Sequence, residues 1–248
     1  MTGIQIKIDN KTYPGIDKGK PHHAIADLNL SLGSDEFVCL VGPSGCGKTT
    51  LLNIVADLDN DYHGEISIHR GLTGDKLTIG YVFQNPRLLP WRTVRENIEL
   101  AVGDSVPAQT IDFFLDAMQL TEFQDAYPER LSLGMSRRVA IIRAFAVDPD
   151  LLLMDEPFVS LDMPTARQVR ELLLKLWRQR PHTVLFVTHD LREAIALADR
   201  IIFLSATPMT VISDVAVPIP RNERSDEQAI EAFRQQLLQN YPGIGLLL

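Results

Sequence analysis

Residues 42–49, GPSGCGKT, combine glycine, lysine and threonine at the spacing that is typical of a phosphate-binding loop. Glycines let the backbone turn tightly, so that the N–H groups of such a loop converge on phosphate oxygens. Lys48 would reach the β- and γ-phosphates of a nucleotide, and the hydroxyl of Thr49 would bind Mg²⁺. The residues expected to contact the nucleotide are Gly42, Pro43, Ser44, Gly45, Cys46, Gly47, Lys48, Thr49 and Thr50.

The sequence on either side of this loop favours a nucleotide site over its alternative, a glycine-rich turn with a chance lysine. Residues 37–41, FVCLV, form an apolar run typical of a buried strand, and residues 48–58 have the spacing of a helix. A strand, a loop and a helix in that order place the helix N-terminus, with its partial positive charge, next to the phosphates.

Two acidic residues follow a second apolar run, LLLMD at 151–155. If this run is a strand of a parallel sheet, Asp155 and Glu156 lie at the carboxyl edge of the sheet, where α/β folds bind ligands. Asp155 suits Mg²⁺, and Glu156 can polarise a water molecule that attacks a phosphate. The alternative is that the two acids cap a helix.

Two more polar residues follow predicted strands. His189 comes directly after TVLFVT (183–188), and at that edge it can sense the γ-phosphate. Gln84 follows TIGYVF (78–83), and its amide oxygen can bind Mg²⁺ or the attacking water. The alternatives are a structural histidine and an ordinary polar strand end.

Composition narrows the functional classes. A formal net charge of -8 over 248 residues argues against nucleic acid as a partner. Cys39 and Cys46 are too few for a disulfide framework, which favours a reducing compartment. The N-terminus does not have the pattern of a signal peptide, and no run approaches the roughly 20 apolar residues of a membrane span. Work at a membrane would therefore require another chain.

The order of apolar runs and helical patterns predicts an α/β fold with a parallel sheet covered by helices. Residues 200–204, RIIFL, complete the set of predicted strands. Between Gln84 and about Met135 two helical patterns occur without an obvious strand, which indicates a helical insertion. A C-terminal amphipathic helix is expected after Pro218.

Taken in order, the motifs resemble those of an ABC-transporter ATPase subunit, and the resemblance covers nearly the whole chain. It rests on residues 42–49, Gln84, LSLGM (131–135), LLLMDEP (151–157), SLD (160–162) and His189. Of these, LSLGM resembles the motif that the family calls its signature. The resemblance implies one ABC-type ATPase domain, residues 1–248, with a RecA-like P-loop NTPase core and an N-terminal antiparallel β portion. The core would comprise 1–84 and about 136–218, the α-helical subdomain carrying the signature about 85–135, and a C-terminal helical tail 219–248.

The resemblance also implies ATP and Mg²⁺ as ligands and a head-to-tail dimer of two copies. Each ATP would lie between the phosphate loop of one copy and the signature residues Ser132 and Gly134 of the other. Asp162 would lie at the boundary between the copies, and Tyr13 would stack on adenine, although a packing role for Tyr13 is the alternative. Lys48, Gln84, Glu156 and His189 would be catalytic, and Thr49, Gln84 and Asp155 would bind the metal.

Residues 83–98, with LLPW after Gln84, resemble the nitrate, sulfonate and taurine importer branch of that family. Leu89, Pro90 and Trp91 would then contact a separate transmembrane permease, or Trp91 would fill a hinge between subdomains. The chain would sit at the cytoplasmic face of the cell membrane through the permease, and would work indirectly with a substrate-binding protein. A soluble ABC-type ATPase and a non-hydrolysing nucleotide-binding regulatory module are the alternatives.

Two residues depart from the family pattern. Leu133 stands where the signature usually has a glycine, and Asp57 stands where a glycine is usual after the first helix. Leucine is tolerated if its φ angle is negative, as is normal at the start of a helix, whereas a positive φ would cost about 1–2 kcal/mol. We therefore expect a working signature whose Leu133 side chain packs on the helical subdomain.

Overall fold

The computed structural model describes residues 3–15, 20–69, 77–103, 106–241 and 243–246. The chain forms two compact units: unit 1 is Met1–Asp75 with Thr183–Leu248, and unit 2 is Lys76–His182. The strands are β1 Gly3–Tyr13, β2 His22–Gly33, β3 Phe37–Val41, β4 His63–His69, β5 Ile79–Val82, β6 Leu151–Asp155, β7 Thr183–Thr188, β8 Arg200–Leu204 and β9 Val211–Ala216. The α-helices are α1 Lys48–Val55, α2 Val94–Val102, α3 Ala108–Ala117, α4 Leu133–Ala146, α5 Met163–Gln179, α6 Leu191–Leu197 and α7 Glu227–Asn240.

A three-stranded antiparallel sheet in the order β2-β1-β4 opens unit 1. In the central strand, Ile6 lies opposite Leu30 of β2 and Ile66 of β4. Ile4, Ile6 and Ile8 are all buried, because alternate side chains of a strand point to the same face. The expected N-terminal antiparallel portion is confirmed.

The second sheet of unit 1 is built around β3, which pairs in parallel with β7 and β8, while β9 joins β8 in antiparallel orientation. Every residue of β3 and β7 is buried, as expected for parallel strands covered on both faces. Val41 and Thr188, the last residues of the two strands, lie opposite each other. The segments that begin at Gly42 and His189 therefore leave the sheet at the same edge.

The helices of unit 1 follow the predictions with one correction. The C-terminal amphipathic helix is α7, and Arg192 of α6 forms a 2.6 Å ion pair with Glu231 of α7. The first helix was expected to continue to residue 58, but α1 ends at Val55. Asp57 takes a left-handed backbone conformation with a φ of 61°, which helical residues do not adopt. Glycine takes this conformation more readily than other residues.

Unit 2 joins a parallel strand pair, β5 and β6, to helices. The last helical turns of α4 approach β5 closely, since a Cβ atom on Gly80 would lie 2.3 Å from the carbonyl oxygen of Ala144. Helices α2, α3 and α5 also pack on α4. The described residues between 84 and 135 form helices and loops without a strand, as the sequence predicts.

The predicted fold class, an α/β core with an antiparallel N-terminal portion and a helical insertion, is confirmed. The compact units do not follow the boundaries predicted for core, helical subdomain and tail, and those boundaries stay a prediction. Among the residues that the structure describes, no helix has the length and hydropathy needed to cross a membrane.

Candidate nucleotide-binding site

The loop between β3 and α1 depends on its glycines. Gly45 and Gly47 have φ angles of 76° and 118°, in the left-handed region that side chains disfavour. A Cβ atom on Gly47 would also lie 3.2 Å from the carbonyl oxygen of Ala24. Gly42 is packed tightly as well, because its Cβ position is 3.1 Å from Cβ of Leu204. The loop therefore has the compact backbone that a phosphate-binding loop requires.

Lys48 begins α1 and curls back over this loop. Its ammonium group donates hydrogen bonds to the carbonyl oxygens of Gly42, at 2.8 Å, and Pro43, at 2.9 Å. Thr49 follows it in the first turn and is exposed. A fixed cation and the N-terminus of a helix thus lie at one end of the loop, which favours a bound anion.

The remaining loop residues differ in accessibility. Ser44 is exposed, and Pro43 and Thr50 are half-buried. Cys46 is buried, so its contribution to a ligand would come from the backbone and not from the thiol.

The other cysteine, Cys39, lies within β3 and is also buried. Burial raises the pKa of the Cys39 thiol well above its ordinary value, which keeps it protonated and unreactive.

Tyr13, at the end of β1, lies beside the start of α1. Its hydroxyl group is 3.2 Å from the hydroxyl of Thr50 and donates a 3.1 Å hydrogen bond to Oδ2 of Asp59. The ammonium group of Lys11 lies 4.5 Å from the centre of the tyrosine ring. Sequence reasoning singled out Tyr13, whose role stays a prediction, but missed its neighbours Lys11 and Asp59, because no local pattern connects residues 48 positions apart.

His189 is exposed directly after β7, at the sheet edge where the phosphate loop begins. The turn that carries it is held by hydrogen bonds on both sides. The backbone N–H of Asp190 donates to Oγ1 of Thr188, whose hydroxyl donates to Glu193 at 2.8 Å. Asp190 then caps α6 by accepting from the N–H of Arg192. The structure therefore brings His189 and the phosphate loop to one edge of unit 1.

In unit 2, the two acids end a fully buried strand. Asp155 is the last residue of β6 and is buried, while Glu156 is half-buried with a left-handed φ of 44°. Such a backbone conformation is costly for a residue other than glycine and is common at functional sites. The helix-capping alternative is wrong, because α5 begins at Met163 and is capped by Asp162.

Gln84 lies just after β5 and is exposed. A side chain of α4 forms a hydrogen bond to its backbone. The buried guanidinium group of Arg137 donates to the carbonyl oxygen of Gln84. It also donates to the carbonyl oxygens of Phe83, at 3.3 Å, and Val159, at 3.4 Å. Sequence reasoning missed Arg137, because it is one of three arginines in α4, with Arg138 and Arg143, and the sequence alone does not show which of them is buried.

The signature residues begin α4. Ser132 is the N-cap, and its side-chain oxygen accepts a 3.2 Å hydrogen bond from the N–H of Met135. Leu133 is the first helical residue and is not among the residues with a positive φ, as expected. The expected packing of its side chain is wrong, because Leu133 is 43% exposed. Gly134 is buried against Thr165 of α5.

Asp162 lies in the same region of unit 2. Its carboxylate accepts hydrogen bonds from the N–H of Thr165, at 3.0 Å, and from the hydroxyl of Thr165, at 2.7 Å. These bonds hold the pKa of the Asp162 carboxyl below its ordinary value. Its visible role is therefore to cap α5, and its role between two copies stays a prediction.

Trp91 is 67% exposed, so the alternative in which it fills a hinge is wrong. The loop before it is ordered by the buried side chain of Asn97. Its Oδ1 accepts from the N–H of Leu89 at 2.7 Å, and its Nδ2 donates to the carbonyl oxygens of Arg92 and Thr93. Trp91 is thus presented to solvent by an ordered loop.

Comparison with known proteins agrees with this set of motifs. Residues 25–159 match the family model described as ABC transporter. The chain is 41% identical over 228 residues to the aliphatic sulfonates import ATP-binding protein SsuB of Bacillus cereus, covering 90% of both chains. It is 39% identical over 219 residues to the nitrate import ATP-binding protein NrtD of Synechocystis sp., covering 86% of this chain and 82% of that protein.

A solved structure is also similar. A dimeric ATP-binding cassette in a post-hydrolysis state, bound to ADP and Pi, aligns with a TM-score of 0.73 at 31% identity, over 88% of this chain and 100% of that chain. Sequence identity of about 40% over most of the length of these relatives is sufficient to assign the chain to their family. The chain belongs to the ABC transporter family, as an ATP-binding cassette.

Proposed function

We propose that this chain is the ATP-hydrolysing subunit of an importer, and that it powers a separate transmembrane permease. The observation that carries the proposal is the loop 42–49, with its left-handed glycines and with Lys48 held over its carbonyl oxygens. Such a loop binds the triphosphate of ATP through backbone N–H groups and one fixed cation.

Each unit carries groups suited to hydrolysis. In unit 1, His189 lies at the edge where the phosphate loop leaves the sheet and senses the γ-phosphate. In unit 2, Glu156 acts as the general base that orients the attacking water, and Gln84 assists it. Phosphoryl transfer needs positioning and charge stabilisation above all, and the left-handed backbone of Glu156 is the kind of strain that occurs at functional sites.

The chemistry of the available ligands fits Mg²⁺. Thr49 offers a hydroxyl, Gln84 an amide oxygen and Asp155 a carboxylate, and Mg²⁺ prefers oxygen ligands of these kinds. When bound, the ion would neutralise negative charge on the phosphate oxygens. Among the described residues, no group of three or more His, Cys, Asp and Glu side chains suggests a different metal site.

Two copies would bind ATP between them. Ser132 caps α4 through its oxygen, which leaves the hydrogen of its hydroxyl group to donate to a phosphate of the partner's ATP. The N-terminus of α4 adds a partial positive charge at the same place. Gly134, which is buried, and Asp162 lie beside this place, since both contact Thr165 at the start of α5.

The permease would dock on unit 2 near Trp91. The exposed indole lies on a loop that Asn97 holds in place, so it can enter a partner without the loop having to become ordered first.

Unit 2 also has a cavity of about 390 Å³, which is lined by Tyr81, Phe83, Arg87 and Arg143, among others. Phe83 stacks on Tyr81 with 3.9 Å between ring centres, and the guanidinium of Arg87 lies 4.0 Å from the centre of the Phe83 ring.

The transported solute would be a small anion such as a sulfonate or nitrate, as for the relatives named above. The chain would then lie at the cytoplasmic face of the membrane, held there by the permease. The permease and a substrate-binding protein would select the solute.

The proposal is tested by phosphate release from Mg-ATP by the wild-type chain and by Lys48→Ala, alone and with its permease. We expect turnover from the wild type, loss of at least about tenfold in the variant, and stimulation by the permease. Trp91→Ala should keep the basal rate and lose the stimulation. An absence of turnover with the permease present would overturn the proposal.

A further inference from the structure

Lys11 is a buried cation whose function the motifs do not explain. It lies in β1 with 2% of its side chain exposed. Its ammonium group forms a 2.7 Å ion pair with Oδ1 of Asp59 and donates a 2.7 Å hydrogen bond to the carbonyl oxygen of Asp61. A buried lysine is costly unless it is paired in this way, so the group has a definite place in the fold.

The same carboxylate also binds Tyr13. While Oδ1 of Asp59 accepts from Lys11, its Oδ2 accepts from the tyrosine hydroxyl at 3.1 Å. The hydroxyl of Thr50, in the first turn of α1, lies 3.2 Å from the same tyrosine oxygen. The orientation of the ring is therefore set from its hydroxyl end, at the start of the helix that follows the phosphate loop.

Lys11 also covers one face of the ring. Its ammonium nitrogen lies over the tyrosine at 4.5 Å from the ring centre, the geometry of a cation–π interaction. One face of Tyr13 is thus taken by a cation, so an aromatic ligand has to stack on the opposite face.

The pair remains charged at neutral pH. Burial alone would lower the pKa of Lys11, but the hydrogen bond and charge of Asp59 outweigh burial and raise it. Burial would raise the pKa of Asp59, but the hydrogen bonds from Lys11 and from the backbone of Asp61 outweigh burial and lower it. The arrangement is therefore persistent across the physiological range.

We propose that Lys11 and Asp59 are positioning residues that hold Tyr13 as the platform on which the adenine ring of ATP stacks. The proposal rests on the proposed function, since it assumes that ATP occupies the phosphate loop. Lys11 and Asp59 would contribute to affinity for the base, whereas the loop 42–49 binds the phosphates.

Inorganic triphosphate provides the test, because it carries the phosphates of ATP without the base. Base–aromatic stacking contributes to affinity for the base, so partial misplacement of the ring should weaken binding about 3- to 10-fold. We expect Asp59→Asn to weaken binding of Mg-ATP by that factor and to leave binding of Mg-triphosphate unchanged, as measured by calorimetry on the full chain. The KM for ATP should rise while kcat at saturating ATP stays the same.

Asp61→Asn is the matched control. Its carboxylate is 87% exposed and lies 3.7 Å from the same ammonium group, so its charge should contribute little. Tyr13→Phe keeps the ring but removes the bond to Asp59, and it should weaken ATP binding by a factor between those of Asp59→Asn and the control. This variant also tests the proposal if Asp59→Asn does not fold.

Equal loss of affinity for ATP and triphosphate in Asp59→Asn would indicate a merely structural role and overturn the proposal. Unchanged ATP affinity in both Asp59→Asn and Tyr13→Phe would overturn it as well. If wild type binds neither ligand, the proposed function fails first, and the role of Lys11 and Asp59 fails with it.

Discussion

A Cβ atom on Gly134 would lie 2.6 Å from Cγ2 of Thr165. The first turn of α4 therefore fits against the first turn of α5 only because residue 134 has no side chain. The signature glycine is required here for packing within one chain, whatever its contact with a nucleotide of the partner.

Gly134→Ala should accordingly destabilise the chain by about 1–3 kcal/mol, as overpacking usually does. Thr165→Ser removes Cγ2 but keeps the hydroxyl that donates to Asp162 at 2.7 Å. The double variant should recover most of the lost free energy of unfolding, measured by urea denaturation. A double variant as unstable as Gly134→Ala alone would show that the methyl group is not the obstacle.

Arg137→Met should lower kcat for ATP several-fold with little change in ATP affinity. The substitution removes the donor that ties the backbone of Phe83, Gln84 and Val159 to α4, so Gln84 would no longer be held in place. Arg138→Met is the control, since Arg138 donates to the carbonyl oxygen of Met118 instead. Steady-state kinetics check the comparison, and an equal loss of kcat in the control would contradict it.

Glu156→Gln should form a dimer with Mg-ATP and remain a monomer without it, because the variant lacks the base and ATP accumulates between the copies. Light scattering measures the mass. Leu133→Gly in this background should dimerise to a similar extent, since Leu133 starts α4 without a positive φ and is 43% exposed. ATP turnover many times faster in Leu133→Gly than in wild type would argue against a working signature.

Asp57→Ala should be less stable than Asp57→Gly by about 1–2 kcal/mol. Both variants lack the carboxylate, so their difference isolates the cost of a left-handed backbone, which has a φ of 61° at this position. Thermal or urea unfolding of the two proteins gives the difference directly. Equal stabilities would mean that the chain relaxes to a different φ.

The stability difference between wild type and Asp59→Asn should depend on pH. The folded-state pKa of Asp59 is lowered, so its contribution is present above the ordinary carboxyl pKa of about 3.9 and is lost as pH falls through the folded value. The pKa of Lys11 is raised, so its contribution is lost as pH rises through a folded value above the ordinary one of about 10.4. Urea denaturation at acidic, neutral and alkaline pH should therefore show the largest difference near neutrality.

Local patterns in the sequence determined the strands and the phosphate loop. The apolar runs at 37–41, 151–155, 183–188 and 200–204 coincide with β3, β6, β7 and β8, because a buried parallel strand is marked by its own residues. The sequence also predicts the phosphate loop from its glycines and Lys48, since a tight turn around phosphate requires those residue types at that spacing.

Only the tertiary structure decided which side chains support the motif residues. Lys11 and Asp59 are 48 positions apart, and Arg137 and Gln84 are 53 apart, so no local periodicity connects either pair. The sequence also leaves open whether Asp155 and Glu156 cap a helix, and the structure excludes it because α5 begins at Met163 and is capped by Asp162. Such contacts form between distant segments that the fold brings together, and their geometry depends on the packing of whole elements, which short stretches of sequence do not encode.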